Sequence, residues 1–143
     1  MITLSELRFG ADARDRTAEA AGPGSDGLRA ALESFYYALN HRDAAVLARV
    51  WSDHDLAQLN NPLGGILRCG EAVVDLYRRI FAGRARLDIE FGDFVEHLGH
   101  DHAVVAGRET GTYTVDGMAS VAVSIRTSRY FRYGWPARNG GST

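Results

Sequence analysis

The spacing of apolar residues changes once along this chain, and that change constrains the fold more than any other feature. Between residues 28 and 81, apolar residues recur every three or four positions, which is typical of amphipathic helices. From residue 85 they alternate with polar residues, which is typical of strands buried on one face. Helices followed by antiparallel strands make an α+β domain, so this is the fold class that we expect.

Three helices are predicted in the first half of the chain. The first begins after an N-cap at Asp26, the second is short and follows a break at 40–43, and the third begins near Glu71 and ends at Gly83. The apolar residues expected to face inward are Leu28, Ala31, Leu32, Phe35, Tyr36, Leu39, Val46, Leu47, Val50, Trp51, Val73, Val74, Tyr77, Ile80 and Phe81.

Strand patterns occupy the remainder of the chain. Two short candidates, 56–60 and 66–69, flank a Pro/Gly turn at 62–65. Three long strands follow from residue 85, and Asp116-Gly117 is a strong hairpin signal between the last two. The alternation slips by one residue at Gly92-Asp93, which predicts a β-bulge that bends the first long strand.

The chain of 143 residues suits a single domain. Residues 1–25 contain Gly and Pro but no useful apolar period, so we expect a flexible N-terminal arm, with a short docking element in residues 1–7 as the alternative. The domain itself is assigned to residues 26–133. Residues 134–143 are interrupted by Pro and Gly, and they read as a degenerate or truncated last strand and tail.

Composition excludes several partners and compartments. The net charge of −2 gives no electrostatic reason to expect nucleic acid or an anionic membrane. Cys69 is the only cysteine, so the fold cannot depend on an internal disulfide, and no stretch approaches 18 apolar residues. We therefore expect a cytoplasmic protein. No cofactor motif is present, and we expect no metal, because His97, His100 and His102 fit a solvated turn better than a metal site.

Three local patterns carry a resemblance to a known superfamily. They are Ala38-Leu39-Asn40 before Asp43, Asn61-Pro62-Leu63-Gly64 followed by Arg68-x-Gly70, and the segment Tyr77–Phe81. With the element order, they make residues 28–132 resemble the nuclear transport factor 2-like superfamily, in its SnoaL-like and ketosteroid-isomerase-like branch. The resemblance implies three N-terminal helices packed on a strongly curved, mostly antiparallel sheet in a cone-shaped, cystatin-like fold. It also implies a homodimer.

The resemblance leaves the reaction open. It places the isomerase base at Asn61, which is an amide, and the isomerase tyrosine at Phe35, with Tyr36 turned away by about 100° around the helix. The strand 121–131, where an oxyanion-binding acid belongs, holds no acid. We expect a binder of a small apolar or carbonyl-containing molecule, or an isomerase, cyclase or dehydratase without the usual residues. The alternative is a non-catalytic homo-oligomerisation or accessory module.

Eight residues are candidates for the site. The group that moves a proton would be the carboxylate of Glu109 or the imidazole of His54. For both residues a structural role is the favoured interpretation: a cross-strand pair with an arginine for Glu109, and a polar helix-to-strand junction for His54. Glu109 and Arg108 point to opposite faces of their strand, so only one can line a pocket. The candidate ligand contacts are Asn61, Asn60, Arg126, Tyr36, Trp51 and Phe91. A pocket closed by Trp51, Phe81 and Phe91 would favour the oligomerisation module.

Overall fold

A computed structural model describes residues 2–20, 22, 24–51, 58–60, 66–68, 70–100 and 102–132, with backbone alone for 58–60, 66–68, 70 and 132. The helices within these ranges are α1 (Gly24–His41), α2 (Ala44–Val50) and α3 (Gly70–Ala82). The strands are β1 (Ile2–Ser5), β2 (Gln58–Asn60), β3 (Ile66–Arg68), β4 (Ala85–Leu98), β5 (His102–Val115) and β6 (Val121–Arg132). The expected α+β class is confirmed.

The main sheet has four antiparallel strands in the order β1-β4-β5-β6, and β2 pairs with β3 in a separate antiparallel ladder. Side chains alternate along β4, β5 and β6, so that one face of the sheet packs on α1 and the other is more exposed. We call these the inner and the outer face. Among the described helices, none combines the length and the apolar character needed to cross a membrane.

Residues 2–20 pack on the domain through backbone and side-chain contacts. Ile2–Ser5 pairs with β4, as the docking alternative required, and Phe9 forms a backbone bridge with Phe91 through bonds of 2.9 and 2.8 Å. Phe9 is buried. Further along, the Arg16 N–H donates to the Ser34 hydroxyl of α1 at 2.7 Å. The sequence did not show this packing because the arm lacks a regular apolar period.

Side chains close the junction between the helices and the sheet. The Asn40 amide bonds both backbone groups of Ile89, donating to its carbonyl at 2.8 Å and accepting from its N–H at 2.7 Å. Asn40 therefore bonds the edge of β4 that faces away from β5, beyond the residues that pair with β1. Asp43 is the N-cap of α2 and accepts from the Val46 N–H at 3.1 Å, which satisfies one otherwise unpaired donor of that helix.

The predicted bulge is present in β4. Its register against β5 shifts between Gly92 and Val95, and Asp93 has a φ of 50°. Gly107 lies opposite the bulge, where an added Cβ would come within 2.5 Å of the Phe94 Cβ and 2.8 Å of the Gly92 carbonyl oxygen. Only glycine allows β4 and β5 to stay paired across this bend.

The core lies between α1 and the inner face, and it continues onto α2 and α3. Its largest fully buried apolar and aromatic side chains are Trp51, Tyr36, Phe91, Phe94, Leu32, Leu47, Val73 and Val105. One ion pair also lies in this layer, because Glu96 is fully buried and accepts from the Arg29 Nε at 2.8 Å. The core therefore holds charged groups as well as apolar ones.

Candidate functional site

A helix and two strands bring three polar side chains into contact on the inner face. Tyr36 comes from the middle of α1, Glu109 from β5 and Arg129 from β6. The Tyr36 hydroxyl donates to Glu109 Oε2 at 2.6 Å, and Arg129 donates to the same oxygen from Nη2 at 2.8 Å. Arg129 Nε also donates to the Tyr36 hydroxyl at 3.2 Å. We call Tyr36, Glu109 and Arg129 the polar trio.

The polar trio is almost entirely removed from solvent. The side chains of Arg129 and Glu109 retain 8% and 13% of their accessible surface, and Tyr36 is fully buried. Charged groups are costly to bury unless they are paired and hydrogen-bonded, and each of these two charges is both. The trio is thus a fixed polar centre in a largely aromatic surrounding.

Aromatic rings enclose the trio on several sides. The Tyr36 ring stacks on Phe91 with centroids 5.2 Å apart, and the Arg129 guanidinium carbon lies 4.0 Å from the centre of the Phe35 ring. Phe35 in turn contacts Trp51 of the segment after α2 and Tyr77 of α3, at centroid distances of 6.1 and 6.3 Å. These rings provide an apolar wall beside the paired charges, which is the usual composition of a small-molecule site.

Burial and neighbouring charges together set the protonation states of Tyr36 and Arg129. Burial raises the pKa of Tyr36 well above its ordinary value, so the hydroxyl remains protonated and donates to Glu109. Burial also acts to lower the pKa of Arg129, but Tyr36, Glu109 and Tyr77 outweigh it and raise that pKa. Arg129 is therefore a permanent cation. Within the described ranges, no three His, Cys, Asp or Glu side chains lie close enough to hold a metal ion.

Four of the candidate residues lie where a site on the inner face requires them. Glu109 and Tyr36 belong to the polar trio, and Trp51 and Phe91 are buried in the rings around it. Tyr36 points at the sheet, so the expectation that it turns away from the site was wrong. The reason is that α1 is covered on two sides: Phe35 packs towards α2 and α3, while Tyr36 packs on β4.

Arg126 does not belong to this group, which corrects its assignment as a ligand contact. It is exposed and lies on the outer face, where it pairs in register with Arg108. Arg129 supplies the buried cation instead, and it completes the Glu–Arg pair that the sequence offered as the alternative to a catalytic Glu109. Alternation along β6 could have identified it, since Arg129 shares a face with Ile125 and Arg126 does not.

The remaining candidates are not placed. Asn60 is the last residue of β2, and only its backbone is described. His54 and Asn61 lie outside the described residues. Whether Asn61 faces Glu109 therefore stays a prediction.

Comparison with solved structures identifies the fold. The chain is 19% identical to a protein of *Streptomyces avermitilis* that is provisionally assigned as a dehydratase of the nuclear transport factor 2-like family; the match covers 80% of this chain and 90% of that one, with a TM-score of 0.64. A ketosteroid isomerase-like protein of *Erwinia carotovora atroseptica* is 17% identical over 80% of this chain and 87% of that one, with a TM-score of 0.65. The chain has the nuclear transport factor 2-like fold.

A third structure shares this nuclear transport factor 2-like fold with a higher sequence identity. It is provisionally assigned as a calcium/calmodulin-dependent protein kinase type II association domain from *Thiobacillus denitrificans*, and it is 25% identical over 80% of this chain and 90% of that one, with a TM-score of 0.60. No protein-family model matches the chain, and no curated protein matches it. The fold is therefore established, and function has to be argued from the site.

Proposed function

We propose that this chain binds a small molecule on the inner face of its sheet, with the polar trio of Tyr36, Glu109 and Arg129 as the polar anchor. The observation that carries the proposal is the ion pair of Glu109 and Arg129, buried at 2.8 Å beside a protonated Tyr36 hydroxyl and faced by aromatic rings. A buried ion pair contributes little net stability compared with apolar residues of the same size. A functional role in recognition accounts for its position better than a role in folding.

The ligand in this proposal is a small apolar or carbonyl-containing molecule that lies in an apolar, cone-shaped pocket. Trp51 and Phe91 form part of its wall, and Asn60 and Asn61 supply further hydrogen bonds. If the chain is an isomerase, cyclase or dehydratase, Glu109 carries the proton and His54 is the second candidate. The dehydratase and the isomerase-like protein among the structural neighbours support this class of function. We further propose a cytoplasmic homodimer.

Thermal unfolding against a ligand panel tests the proposal. The panel contains steroid ketones, aromatic polyketides and small carbonyl compounds. A ligand at about 100 times its dissociation constant adds about 2.7 kcal/mol to the free energy of unfolding, which raises the midpoint by roughly 2–4 °C per kcal/mol in a domain of this size. We expect a hit whose shift is lost in Tyr36→Phe and Glu109→Gln and is retained in the outer-face control Arg126→Gln.

The competing function is a non-catalytic homo-oligomerisation module. The association domain at 25% identity favours it, as does the fact that the members of the polar trio bond to one another. Sedimentation velocity across a dilution series distinguishes the two functions. A midpoint that depends on protein concentration, with no shift across the ligand panel, would replace the binding proposal with this one.

A further inference from the structure

A groove of about 480 Å³ lies on the outer face, between the N-terminal arm and the strands β4 and β5. Arg8 lines it from the arm, and Arg108 and Thr110 line it from β5. Side chains alternate along β5, so Arg108 and Thr110 are on the opposite side of the sheet from Glu109 and the polar trio. The groove is therefore separate from the inner-face site.

Three arginines form a row across this face. Gly92 of β4, Arg108 of β5 and Arg126 of β6 are directly paired in register, so their positions lie side by side. The Arg8 side chain covers the position that has no side chain of its own, because a Cβ added at Gly92 would come within 3.1 Å of Arg8 Nη1 and 3.2 Å of Arg8 Cγ. We call Arg8, Arg108 and Arg126 the arginine row.

The protein neutralises only one end of the arginine row. Arg8 forms an ion pair with Glu90 at 2.8 Å. Among the residues that the structure describes, no carboxylate pairs with Arg108 or Arg126, and Arg108 donates only to the Ser124 hydroxyl. Directly paired residues are about 5 Å apart across an antiparallel ladder, so these two positive charges repel each other.

The acidic residues that line the groove belong to its other side. Glu6 is part of the arm and Asp93 is part of β4, whereas Arg126 lies on β6, beyond Arg108 in the strand order. Positive charge therefore increases across the sheet from the arm towards β6. An anion between Arg108 and Arg126 would contact two guanidinium groups and remove their mutual repulsion, while the two carboxylates remain on the far side of β4 and β5.

The number of donors indicates which kind of anion fits. A carboxylate has one negative charge and two oxygens, which a single guanidinium can satisfy with two parallel bonds. A phosphate monoester carries about −1.5 to −2 charge at pH 7 and has three acceptor oxygens, so it can bond two guanidinium groups and a hydroxyl at once. We infer that the outer face binds a phosphate monoester between Arg108 and Arg126, with the Thr110 hydroxyl as a third donor and the ester group in the groove.

Glycerol phosphate and glycerate are matched probes for this site, because they are small polar molecules that differ mainly in the anionic group. The thermal unfolding midpoint as a function of probe concentration gives the two dissociation constants. The measurement is made at about pH 8, where the phosphate is a dianion, and at constant ionic strength, so that general screening is equal in every sample. We expect glycerol phosphate to bind the wild-type protein at least about fivefold more tightly than glycerate.

Substitutions locate the binding. Arg108→Gln and Arg126→Gln each remove one contact, and both should weaken the binding of glycerol phosphate at least about fivefold. Both residues are exposed, so the variants are expected to fold. Arg86→Gln is the matched control, since Arg86 is an exposed arginine on the same face of β4 but six residues along the strand from Gly92. It should change the dissociation constant less than about twofold, because exposed charges at that separation are screened.

Three results would overturn the inference. The first is the absence of any shift with glycerol phosphate in the wild-type protein. The second is glycerate binding as tightly as glycerol phosphate, which would exclude a site built for a phosphate. The third is an equal loss of binding in Arg86→Gln and in the two variants of the row, which would assign the effect to the overall charge of the face. Each result is independent of the inner-face ligand, which is tested on the other side of the sheet.

Discussion

Two pairs of side chains on β5 and β6 meet opposite conditions, although their members on β5, Arg108 and Glu109, are adjacent residues. On the inner face, Glu109 of β5 and Arg129 of β6 are opposite charges 2.8 Å apart with 13% and 8% of their side-chain surface exposed. On the outer face, Arg108 and Arg126 are like charges at directly paired positions, and both are exposed. In the described part of the chain, the only hydrogen bond made by the side chains of these two arginines joins Arg108 Nη1 to the Ser124 hydroxyl, at 3.1 Å.

Solvent explains why one sheet tolerates both pairs. Water and counter-ions screen the two outer arginines, so their repulsion lowers the free energy of unfolding by no more than about 1 kcal/mol. The inner pair has little such screening, and removal of either charge would leave the other buried without the partner that it contacts at 2.8 Å. A single substitution should therefore change the free energy of unfolding much more on the inner face than on the outer face. Substitutions on the two faces measure this difference directly.

Removal of the buried cation should have the largest effect. Arg129→Met keeps an apolar stem of similar length but leaves Glu109 as an uncompensated charge and the Tyr36 hydroxyl without one of its donors. We expect the free energy of unfolding to fall by about 3–5 kcal/mol. Urea denaturation monitored by circular dichroism measures it.

The double variant Arg129→Met/Glu109→Leu is the control for that loss. Because it removes both charges and replaces them with apolar groups, it should recover most of the stability and can exceed the wild-type value. Ligand shifts in the panel should nevertheless be absent. A double variant that is no more stable than the single one would show that the inner pair contributes through packing, and the contrast between the faces would then not be electrostatic.

Loss of the hydroxyl from the polar trio should have the next largest effect. Tyr36→Phe keeps the stack on Phe91 and deletes the bond to Glu109 and the acceptor for Arg129 Nε. Hydrogen bonds to charged groups contribute about 1.5–3 kcal/mol, and we expect a destabilisation in this range by urea denaturation. Tyr37→Phe is the matched control on the next residue of α1, and it should stay within about 0.5 kcal/mol of the wild-type protein.

The comparison extends to the anchor of the N-terminal arm, where a buried carboxylate lies between one exposed and one half-buried arginine. Glu33 accepts from the Arg14 N–H and Nε at 2.9 and 3.1 Å and from Arg16 Nη1 at 3.2 Å. Burial acts to raise the pKa of Glu33, but these bonds outweigh it and lower the pKa below its ordinary 4.5. A lowered carboxyl pKa contributes stability that is present above the ordinary pKa and is lost as the pH falls through the folded one.

Acid titration of stability therefore reports on this anchor. Between about pH 5 and pH 3, the wild-type protein should lose stability more steeply than Glu33→Gln, because the variant has no proton to take up at this position. The measurement is the urea midpoint at each pH. Glu71→Gln, a change at an exposed residue, should follow the wild-type slope. Parallel slopes for the wild type and Glu33→Gln would mean that the arm is not held through this carboxylate.

The sequence was sufficient for the elements and insufficient for the contacts between them. The bulge at Gly92-Asp93 is visible as a slip in a period of two, and alternation places Glu109 and Arg108 on opposite faces without showing which face is the inner one. The pairing of Asn40 with the β4 edge is a contact between residues 49 positions apart, and no local pattern encodes such a contact.

In the candidate site, too, the sequence predicted the elements but not the contacts between them. The periodicity of α1 could not show which side of the helix meets the sheet: Tyr36 packs on the sheet, whereas Phe35 packs towards α2 and α3. Arg126 and Arg129 lie on the same strand, but Arg126 is on the outer face and Arg129 contacts Glu109 on the inner face. Which arginine contacts Glu109 depends on the face and on the reach of a long side chain, and the reach cannot be seen in the sequence.

Substitution of an outer arginine should have the smallest effect, and its sign is the sharpest check on the comparison. Arg126→Gln removes one of two like charges that face each other across β5 and β6, and it leaves the inner face unchanged. Relief of that repulsion should stabilise the protein by about 0.2–1 kcal/mol at low salt, and the gain should shrink as salt is added because exposed charges are screened within a Debye length of about 10 Å at 0.1 M. Urea midpoints of the two proteins across a salt series measure this. A destabilisation of 1 kcal/mol or more would mean that Arg126 has a partner on the outer face, and the face could then no longer serve as the solvent-screened reference for the buried pair.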